Sequence, residues 1–274
     1  MKETLQIGIP CGRNSERFVE FLINTIDRTV SEEYVIKYIF GINQKGVDEQ
    51  FLKNITTKYE KKIVVLDLLL GGAGTSNGHG DCLNLIFQTM NSKYGMVIDS
   101  DTAFLFKGWD KKLISLLKNG TAIIGTEYGI DQERYMGSPN AIMSLFLVNE
   151  LRRTGLSWRP RTNKSGSLSA LDITDENYQI YGRRPGDRIL LDTSCEIPER
   201  LHEFGYSGIA MTLVSPRIDK SKIKFMKEGM RGEEYQLEGA PVLTHLGRSL
   251  TRNFHSNPAA KAWTTRVDEW LKNT

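Results

Sequence analysis

The chain has few of the features that assign a sequence to a specialised class of protein. Its three cysteines, Cys11, Cys82 and Cys195, have spacings that match no metal-ligand pattern. We interpret them as reduced thiols of a cytoplasmic protein, with Cys11 and Cys82 as small core residues. The longest apolar run, residues 63–70, contains Asp67 and is far too short to cross a membrane. We therefore expect no transmembrane segment, which leaves peripheral membrane contact open.

An excess of one charge is also missing. The sequence has 36 Lys and Arg against 33 Asp and Glu, a net charge of +3, which is too weak to indicate nucleic-acid binding. No leader with basic and then apolar residues opens the chain, which favours a cytoplasmic location. The composition, 39% hydrophobic and 25% charged, argues against disorder, and no internal repeat is present. We expect a single domain over residues 1–274.

Strand-like and helical patterns alternate along the first half of the chain. Apolar runs rich in β-branched residues have the length of strands, and the segments between them carry apolar side chains at helical spacing. This order predicts an α/β fold, in which a mostly parallel central sheet is covered by helices on both faces. The expected strands cover residues 5–9, 34–40, 62–70 and 94–101, and the expected helices cover residues 15–26, 48–58 and 81–90.

The second half is less regular. Residues 151–188 contain many Arg, Ser, Gly and Asn residues, and we interpret them as an irregular insertion over the functional site. Residues 225–241 mix glycine with charge, which predicts a mobile segment. We expect a strand at residues 122–125 and helices at residues 109–118, 192–206 and 258–271.

Residues 94–101, Tyr-Gly-Met-Val-Ile-Asp-Ser-Asp, are the most informative stretch. They are typical of a buried strand, and the carboxyl end of such a strand borders the crevice where open α/β sheets bind ligands. Alternation along a strand turns Asp99 and Asp101 to the same face, where like charges repel unless a cation lies between them. Because Mg²⁺ is usually held by carboxylates and substrate phosphates, the pair predicts a metal–diphosphate site. The alternative is that both residues cap the following turn.

The order of these elements resembles that of the GT-A fold glycosyltransferases, which transfer a sugar from a nucleotide-sugar donor. The resemblance covers residues 5–249. The first strand ends in Pro-Cys-Gly-Arg, where that family contacts the nucleobase, and Asn-Gly-His-Gly-Asp at residues 77–81 occupies the place where it lines base and ribose. The resemblance implies that the donor is bound by Pro10, Cys11, Arg13, Asn43, Asn77, His79, Asp81, Asp99, Ser100 and Arg248.

Three further motifs carry the resemblance. Asp-Ser-Asp at residues 99–101 resembles the DxD element, which implies that Asp101 binds a metal and Asp99 lies near the metal or the ribose. His245-Leu-Gly resembles a late His-x-Gly element, whose histidine often completes the metal site. We expect Mn²⁺ or Mg²⁺ there, and imidazole favours manganese. Asp192-Thr-Ser resembles an acceptor-side Asp-Thr-Gly motif, so Asp192, or Glu196 one helical turn later, is the candidate base.

These motifs predict a metal-dependent glycosyltransferase that moves a sugar from a nucleotide-diphosphate sugar, UDP-sugar being favoured over GDP-sugar, to a glycan, lipid or protein-linked hydroxyl. Residues 1–130 would bind the nucleotide sugar, residues 131–250 the acceptor, and residues 251–274 would form a C-terminal helix. Trp158 and Tyr181 are candidates to stack on a sugar ring. Two alternatives stay open: a sugar-phosphate nucleotidyltransferase, and a non-catalytic nucleotide-sugar- or carbohydrate-binding module of the same fold. The oligomeric state is not predicted.

Overall fold

A computed structural model describes residues 2–12, 15–42, 54, 57, 63–67, 75–130, 132–214, 220–227, 230–247 and 257–273. The helices are α1 (Glu16–Thr29), α2 (Ser76–Thr89), α3 (Trp109–Ile114), α4 (Val148–Arg153), α5 (Tyr178–Tyr181), α6 (Ile197–Glu203) and α7 (Pro258–Asn273). The strands are β1 (Thr4–Cys11), β2 (Val35–Ile42), β3 (Ile63–Asp67), β4 (Tyr94–Ile98), β5 (Thr102–Phe104), β6 (Thr121–Thr126), β7 (Met143–Leu147), β8 (Ala170–Asp172), β9 (Arg188–Leu190), β10 (Ser207–Val214), β11 (Glu233–Leu237) and β12 (Ala240–His245).

One large sheet organises the described part of the chain, in the order β3-β2-β1-β4-β7-β6-β10-β11-β12-β5. The neighbours β3–β2, β2–β1, β1–β4 and β6–β10 are parallel. Strand β7 lies antiparallel between β4 and β6, and β10, β11, β12 and β5 continue as an antiparallel ribbon. The predicted α/β class is confirmed, and strands β5, β7, β10, β11 and β12 of this sheet are additions to the predicted order.

Helices cover both faces of the parallel strands, as predicted. The alternation of β1 turns Leu5, Ile7 and Ile9 towards α1 in one apolar cluster. Its opposite face approaches α2 so closely that a Cβ atom at Gly8 would lie 2.1 Å from the Cγ2 atom of Ile86. Glycine is therefore required for this helix to reach the sheet.

Several predicted boundaries are wrong, and each has a local cause. Strand β4 ends at Ile98, so Asp99 and Asp101 lie in the turn before β5, which Thr102 closes by donating to the Asp99 carbonyl. Helix α2 begins at Ser76 rather than residue 81, because Thr75 caps it by accepting from the amide of Gly78. The helix predicted over residues 192–206 begins only at Ile197.

The segment predicted to be mobile, residues 225–241, contains β11 and the turn into β12. Glu238 and Gly239 have φ values of 52° and 76°, the left-handed conformation that a tight hairpin turn needs. The carboxylate of Glu234 accepts from the amides of Phe225 and Met226 at 2.8 and 3.1 Å. These bonds and the pairing of β11 with β12 give the described residues of the segment a regular structure, and their mobility stays a prediction.

The insertion has a small core of its own. Strands β8 and β9 pair in a second sheet, and Ile189 of β9 is buried in one apolar cluster with Ile173 and Tyr181. Trp158 is fully buried and lies edge-on to Phe87 of α2, with the ring centroids 6.4 Å apart. The expectation that Trp158 and Tyr181 stack on a sugar is wrong, because both rings are enclosed by protein.

The C-terminal helix is confirmed as α7. Trp263, fully buried, donates from its indole nitrogen to the Thr244 hydroxyl at 3.0 Å and thereby fastens α7 to β12. Of the helix predicted over residues 48–58, the described residues 54 and 57 are helical. Arg13, Asn43, residues 71–74 and Arg248 lie outside the described residues. Within the described residues, no helix has the length and apolar composition needed to cross a membrane.

Replacement of Gly80 by alanine tests how the insertion docks on α2. A Cβ atom at Gly80 would lie 2.7 Å from the Cα of Arg159 and 2.9 Å from the carbonyl oxygen of Trp158. A glycine-to-alanine change in a helix ordinarily stabilises by about 0.5–1 kcal/mol. Here we expect a destabilisation of about 1–3 kcal/mol in urea unfolding, because main-chain atoms must move. Gln88→Ala, exposed on the same helix, is the control, and a more stable Gly80→Ala protein would contradict this docking.

Candidate metal and donor site

Two sheet connections bring the acidic turn and His245 together. Asp99 and Asp101 follow β4 at the carboxyl end of the parallel strands, where the amide of Asp99 donates to the Ile142 carbonyl. The antiparallel pairing of β12 with β5 places His245 opposite Thr102, and the amide of Leu246 donates to the Asp101 carbonyl at 3.0 Å. The site therefore depends on the antiparallel half of the sheet as much as on the parallel half.

Asp99, Asp101 and His245 form a cluster that could hold a metal ion. One ligand atom from each lies within 4.8 Å of the others. The Nε2 atom of His245 is 3.3 Å from the Oδ1 atom of Asp101, and these two residues are only 9% and 7% exposed. Two carboxylate oxygens and one imidazole nitrogen suit Mn²⁺, and Mg²⁺ less well. The chemistry of the donors thus fits the predicted ion.

His245 is held from both sides by acidic groups. Its Nδ1 atom lies 2.9 Å from the Oε2 atom of Glu233 in β11. Burial alone would lower the pKa of His245, but Asp101 and Glu233 outweigh it and raise this pKa well above its ordinary value. His245 also lowers the pKa of Glu233 against the effect of burial. Attraction between these groups offsets the cost of burying them.

A second histidine contacts the other carboxylate of the cluster. His79, in the first turn of α2, places its Nε2 atom 3.1 Å from the Oδ1 atom of Asp99. Burial would lower the pKa of His79, yet the charge of Asp99 raises it. Asp192 contributes to the same rise. The hydroxyl of the next residue, Thr193, donates to the carbonyl of Ser76 at 3.2 Å, so Asp192 lies near the start of α2.

Asp192 is enclosed by donors. Arg134 donates to its Oδ2 atom from Nε and Nη2 at 3.2 and 2.8 Å, the amide of Thr193 donates to Oδ1 at 2.8 Å, and the Ser76 hydroxyl bonds to it as well. Burial would raise the pKa of Asp192, but Ser76 and Arg134 outweigh it and lower this pKa. The structure thus holds an ionised carboxylate in one orientation, paired with Arg134.

The carboxylate of Glu196 has partners elsewhere. It accepts from the amide of Ser157 at 3.1 Å and lies 3.8 Å from the guanidinium of Arg200 and 4.0 Å from that of Arg161. Helix α6 begins at Ile197, so Asp192 and Glu196 both precede it and do not share a helical face as predicted. The two candidate bases therefore have different partners: Arg134 and the Thr193 amide for Asp192, and the Ser157 amide for Glu196.

The serine that replaces glycine in the Asp-Thr-Gly pattern has a conformational explanation. Ser194 has a φ of 69°, a left-handed conformation that glycine adopts freely and serine at a cost. Its hydroxyl, fully buried, lies 2.9 Å from that of Tyr135. The turn thus requires a left-handed backbone at residue 194. Glycine would adopt this conformation without strain, and Ser194 adopts it while its hydroxyl is hydrogen-bonded to Tyr135.

The predicted donor-binding residues differ in the exposure and the partners of their side chains. Asn77 is partly exposed in the first turn of α2, and Ser100 is buried between the two aspartates. Asp81 pairs with Arg159 of the insertion, whose Nη2 atom is 2.8 Å away. Pro10 is partly buried in β1, and the side chain of Cys11 belongs to the core, leaving only its backbone for a ligand. Among these residues, Asn77, Asp81 and Pro10 are therefore partly accessible, whereas the side chains of Ser100 and Cys11 are buried.

Three residues beside the site were not predicted from the sequence. Glu233 and Arg134 contact His245 and Asp192, and Tyr128 donates its hydroxyl to the Thr193 carbonyl at 3.1 Å. A signal for Glu233 exists, since alternating residues flank the Glu-Gly turn at residues 238–239 in the manner of a hairpin. No comparable signal marks Arg134 or Tyr128.

No family model matches the sequence, and no curated protein matches it. Solved structures do match. The mannosyltransferase PcManGT from Pyrobaculum calidifontis, in complex with GDP-Man and Mn²⁺, is 9% identical over 77% of this chain and 55% of its own, with a TM-score of 0.51. The chain has the fold of the GT-A glycosyltransferases.

Other glycosyltransferase structures match a smaller part of this GT-A chain. TarS from S. aureus is 15% identical over 57% of this chain and 50% of its own, with a TM-score of 0.42. This chain thus spans about half the length of these two solved structures. The GT-A fold places Asp99 and Asp101 at the crevice beyond the carboxyl ends of the parallel strands, where this class of sheet binds ligands.

Two substitutions at Ser194 separate backbone strain from hydrogen bonding. Ser194→Gly and Ser194→Ala both lose the bond to Tyr135, but alanine keeps the left-handed strain. We expect the alanine variant to be less stable than the glycine variant by about 1–2 kcal/mol in denaturant unfolding. Equal stabilities, or a less stable glycine variant, would contradict a conformational requirement at this turn.

Proposed function

We propose that the protein is a metal-dependent glycosyltransferase that moves a sugar from a nucleotide-diphosphate sugar to a hydroxyl group of a glycan, lipid or protein-linked acceptor. The cluster of Asp99, Asp101 and His245 carries the proposal, because it combines the donor atoms of a divalent-cation site with the ligand-binding edge of a GT-A fold. The complex of PcManGT with GDP-Man and Mn²⁺ supports a donor and an ion of this kind. The experiment below tests if the donor nucleotide is UDP or GDP.

Each residue of the cluster has a proposed role. Asp99, Asp101 and His245 would hold the ion, which when bound neutralises charge on the departing diphosphate. His79 contacts Asp99 from α2 and fixes its carboxylate. The first turn of α2, with Asn77, is the proposed wall for the base and ribose. Arg13, Asn43 and Arg248 stay predictions for the same donor.

Asp192 is the proposed base for the acceptor hydroxyl. Asp192 precedes Thr193, whose hydroxyl donates to the Ser76 carbonyl at the start of α2, whereas the carboxylate of Glu196 accepts from the amide of Ser157 in the insertion. An incoming hydroxyl would have to replace one of the donors that surround Asp192. Ser76 is the natural one to be replaced, because it is neutral while Arg134 carries a full charge. Arg134 then keeps the carboxylate oriented during proton transfer.

Thermal shift with a panel of nucleotide sugars tests the donor and the ion together. We expect one nucleotide class, UDP- or GDP-linked, to raise the melting temperature when Mn²⁺ is present and not when it is absent. Asp101→Asn should lose this shift because the ion loses a ligand, whereas Asp172→Asn, a carboxylate exposed in the insertion, should keep it.

A shift that is independent of metal, or unchanged in Asp101→Asn, would contradict the metal assignment. Product analysis separates the remaining functions. Transfer of the sugar with release of nucleoside diphosphate supports the proposal. Release of pyrophosphate from a nucleoside triphosphate would indicate a nucleotidyltransferase, and donor binding without turnover or hydrolysis would indicate a binding module.

Replacement of Asp192 by asparagine tests the acceptor side. Asparagine keeps the size of the side chain and removes its basicity, so we expect kcat to fall by about 10²–10⁴-fold. The metal-dependent thermal shift with donor should remain. Glu196→Gln serves as the matched control, with a much smaller loss of kcat. A larger loss in Glu196→Gln than in Asp192→Asn would transfer the role of base to Glu196.

A further inference from the structure

Glu233 contacts the proposed metal site through the side of His245 that faces away from the ion. Its position follows from the sheet, since Glu233 at the start of β11 pairs directly with His245 at the end of β12. The Oε2 atom of Glu233 lies 2.9 Å from Nδ1 of His245 and accepts from the Tyr235 hydroxyl at 2.9 Å. The side chain is partly buried, with 25% of its surface exposed.

The two nitrogens of His245 face different groups. Nε2 points to Asp101 at 3.3 Å, within the metal cluster, and Nδ1 points to Glu233. A carboxylate at Nδ1 favours a ring proton on that nitrogen, so Nε2 is the nitrogen that would present its lone pair to an ion. It also fixes the rotation of the ring about its axis. The contact therefore determines both the orientation and the tautomer in which His245 meets the cluster.

The neighbouring Glu234 shows what a purely structural carboxylate does in this strand. It is fully buried and accepts from the amides of Phe225 and Met226, which ties residues 224–226 to β11. Glu233 points to the opposite face, as alternation requires, and its contacts in the described chain are with His245 and Tyr235. Two adjacent glutamates thus serve different purposes, one for the fold and one for His245.

We propose that Glu233 is a positioning residue, which holds His245 so that Nε2 is presented as a ligand to the divalent ion. This inference rests on the proposed metal-dependent function, since it assigns a role toward the same ion. It adds a residue that neither the DxD pattern nor the late His-x-Gly pattern contains. Glu233 itself stays outside the set of metal ligands.

Calorimetric titration of the full chain with Mn²⁺ tests the inference without any turnover. We expect Glu233→Ala to weaken the Mn²⁺ affinity by about 10–100-fold, because outer partners of metal-bound histidines have effects of this size. Glu233→Gln should lose less Mn²⁺ affinity, because glutamine keeps the shape of the side chain and its carbonyl oxygen can still accept from Nδ1–H of His245. Glu238→Gln is the matched control, because this carboxylate lies in the turn of the same hairpin and is exposed.

The melting temperature of the metal-free proteins separates positioning from stability. If Glu233 positions His245, Glu233→Gln should bind Mn²⁺ more weakly than the wild type while its metal-free melting temperature stays close to the wild-type value. Glu233→Gln decides the question if Glu233→Ala does not fold. Wild-type affinity in both variants, or in the folded one, would overturn the inference and leave the metal site in place. Absence of Mn²⁺ binding in the wild-type protein would overturn the inference and the proposed function together.

Discussion

Repulsion between two neighbouring carboxylates is the constraint around which this structure is arranged. Asp99 and Asp101 are held in one tight turn, where water screens the pair poorly because Asp101 is almost fully buried. A histidine faces each of them, His79 towards Asp99 and His245 towards Asp101. With Glu233 behind His245, three acidic groups face two imidazoles in this cluster.

The fold assembles this cluster from segments that are far apart in the chain. The acidic turn comes from the parallel half of the sheet, and His79 from a helix that approaches the sheet closely at Gly8 and Gly41. His245 arrives on an antiparallel strand that is fastened from behind by Trp263. Rigid elements on both halves therefore set the relative positions of the side chains, and this rigidity provides the preorganisation that charge stabilisation requires.

The sequence predicted those parts of the fold and site that local patterns determine. The βα alternation, the acidic pair and the C-terminal helix follow from periodicity, composition and motif order. The hairpin that carries Glu233 was interpreted as a mobile segment because its mixture of glycine and charge was given more weight than the alternation that flanks the Glu-Gly turn. Trp158 was misassigned because polar neighbours suggested an exposed loop, whereas this ring is buried against α2. The residues around Asp192 come together only through the tertiary fold.

The central claim is that one divalent ion binds between the acidic turn and His245. Diffraction data collected at the manganese absorption edge, from crystals grown with Mn²⁺ and a nucleoside diphosphate, test it most directly. The account predicts an anomalous peak in contact with Asp101 and the Nε2 atom of His245, with the diphosphate beside it. A bound nucleotide with no peak at this position, or a peak held by other residues, would contradict it.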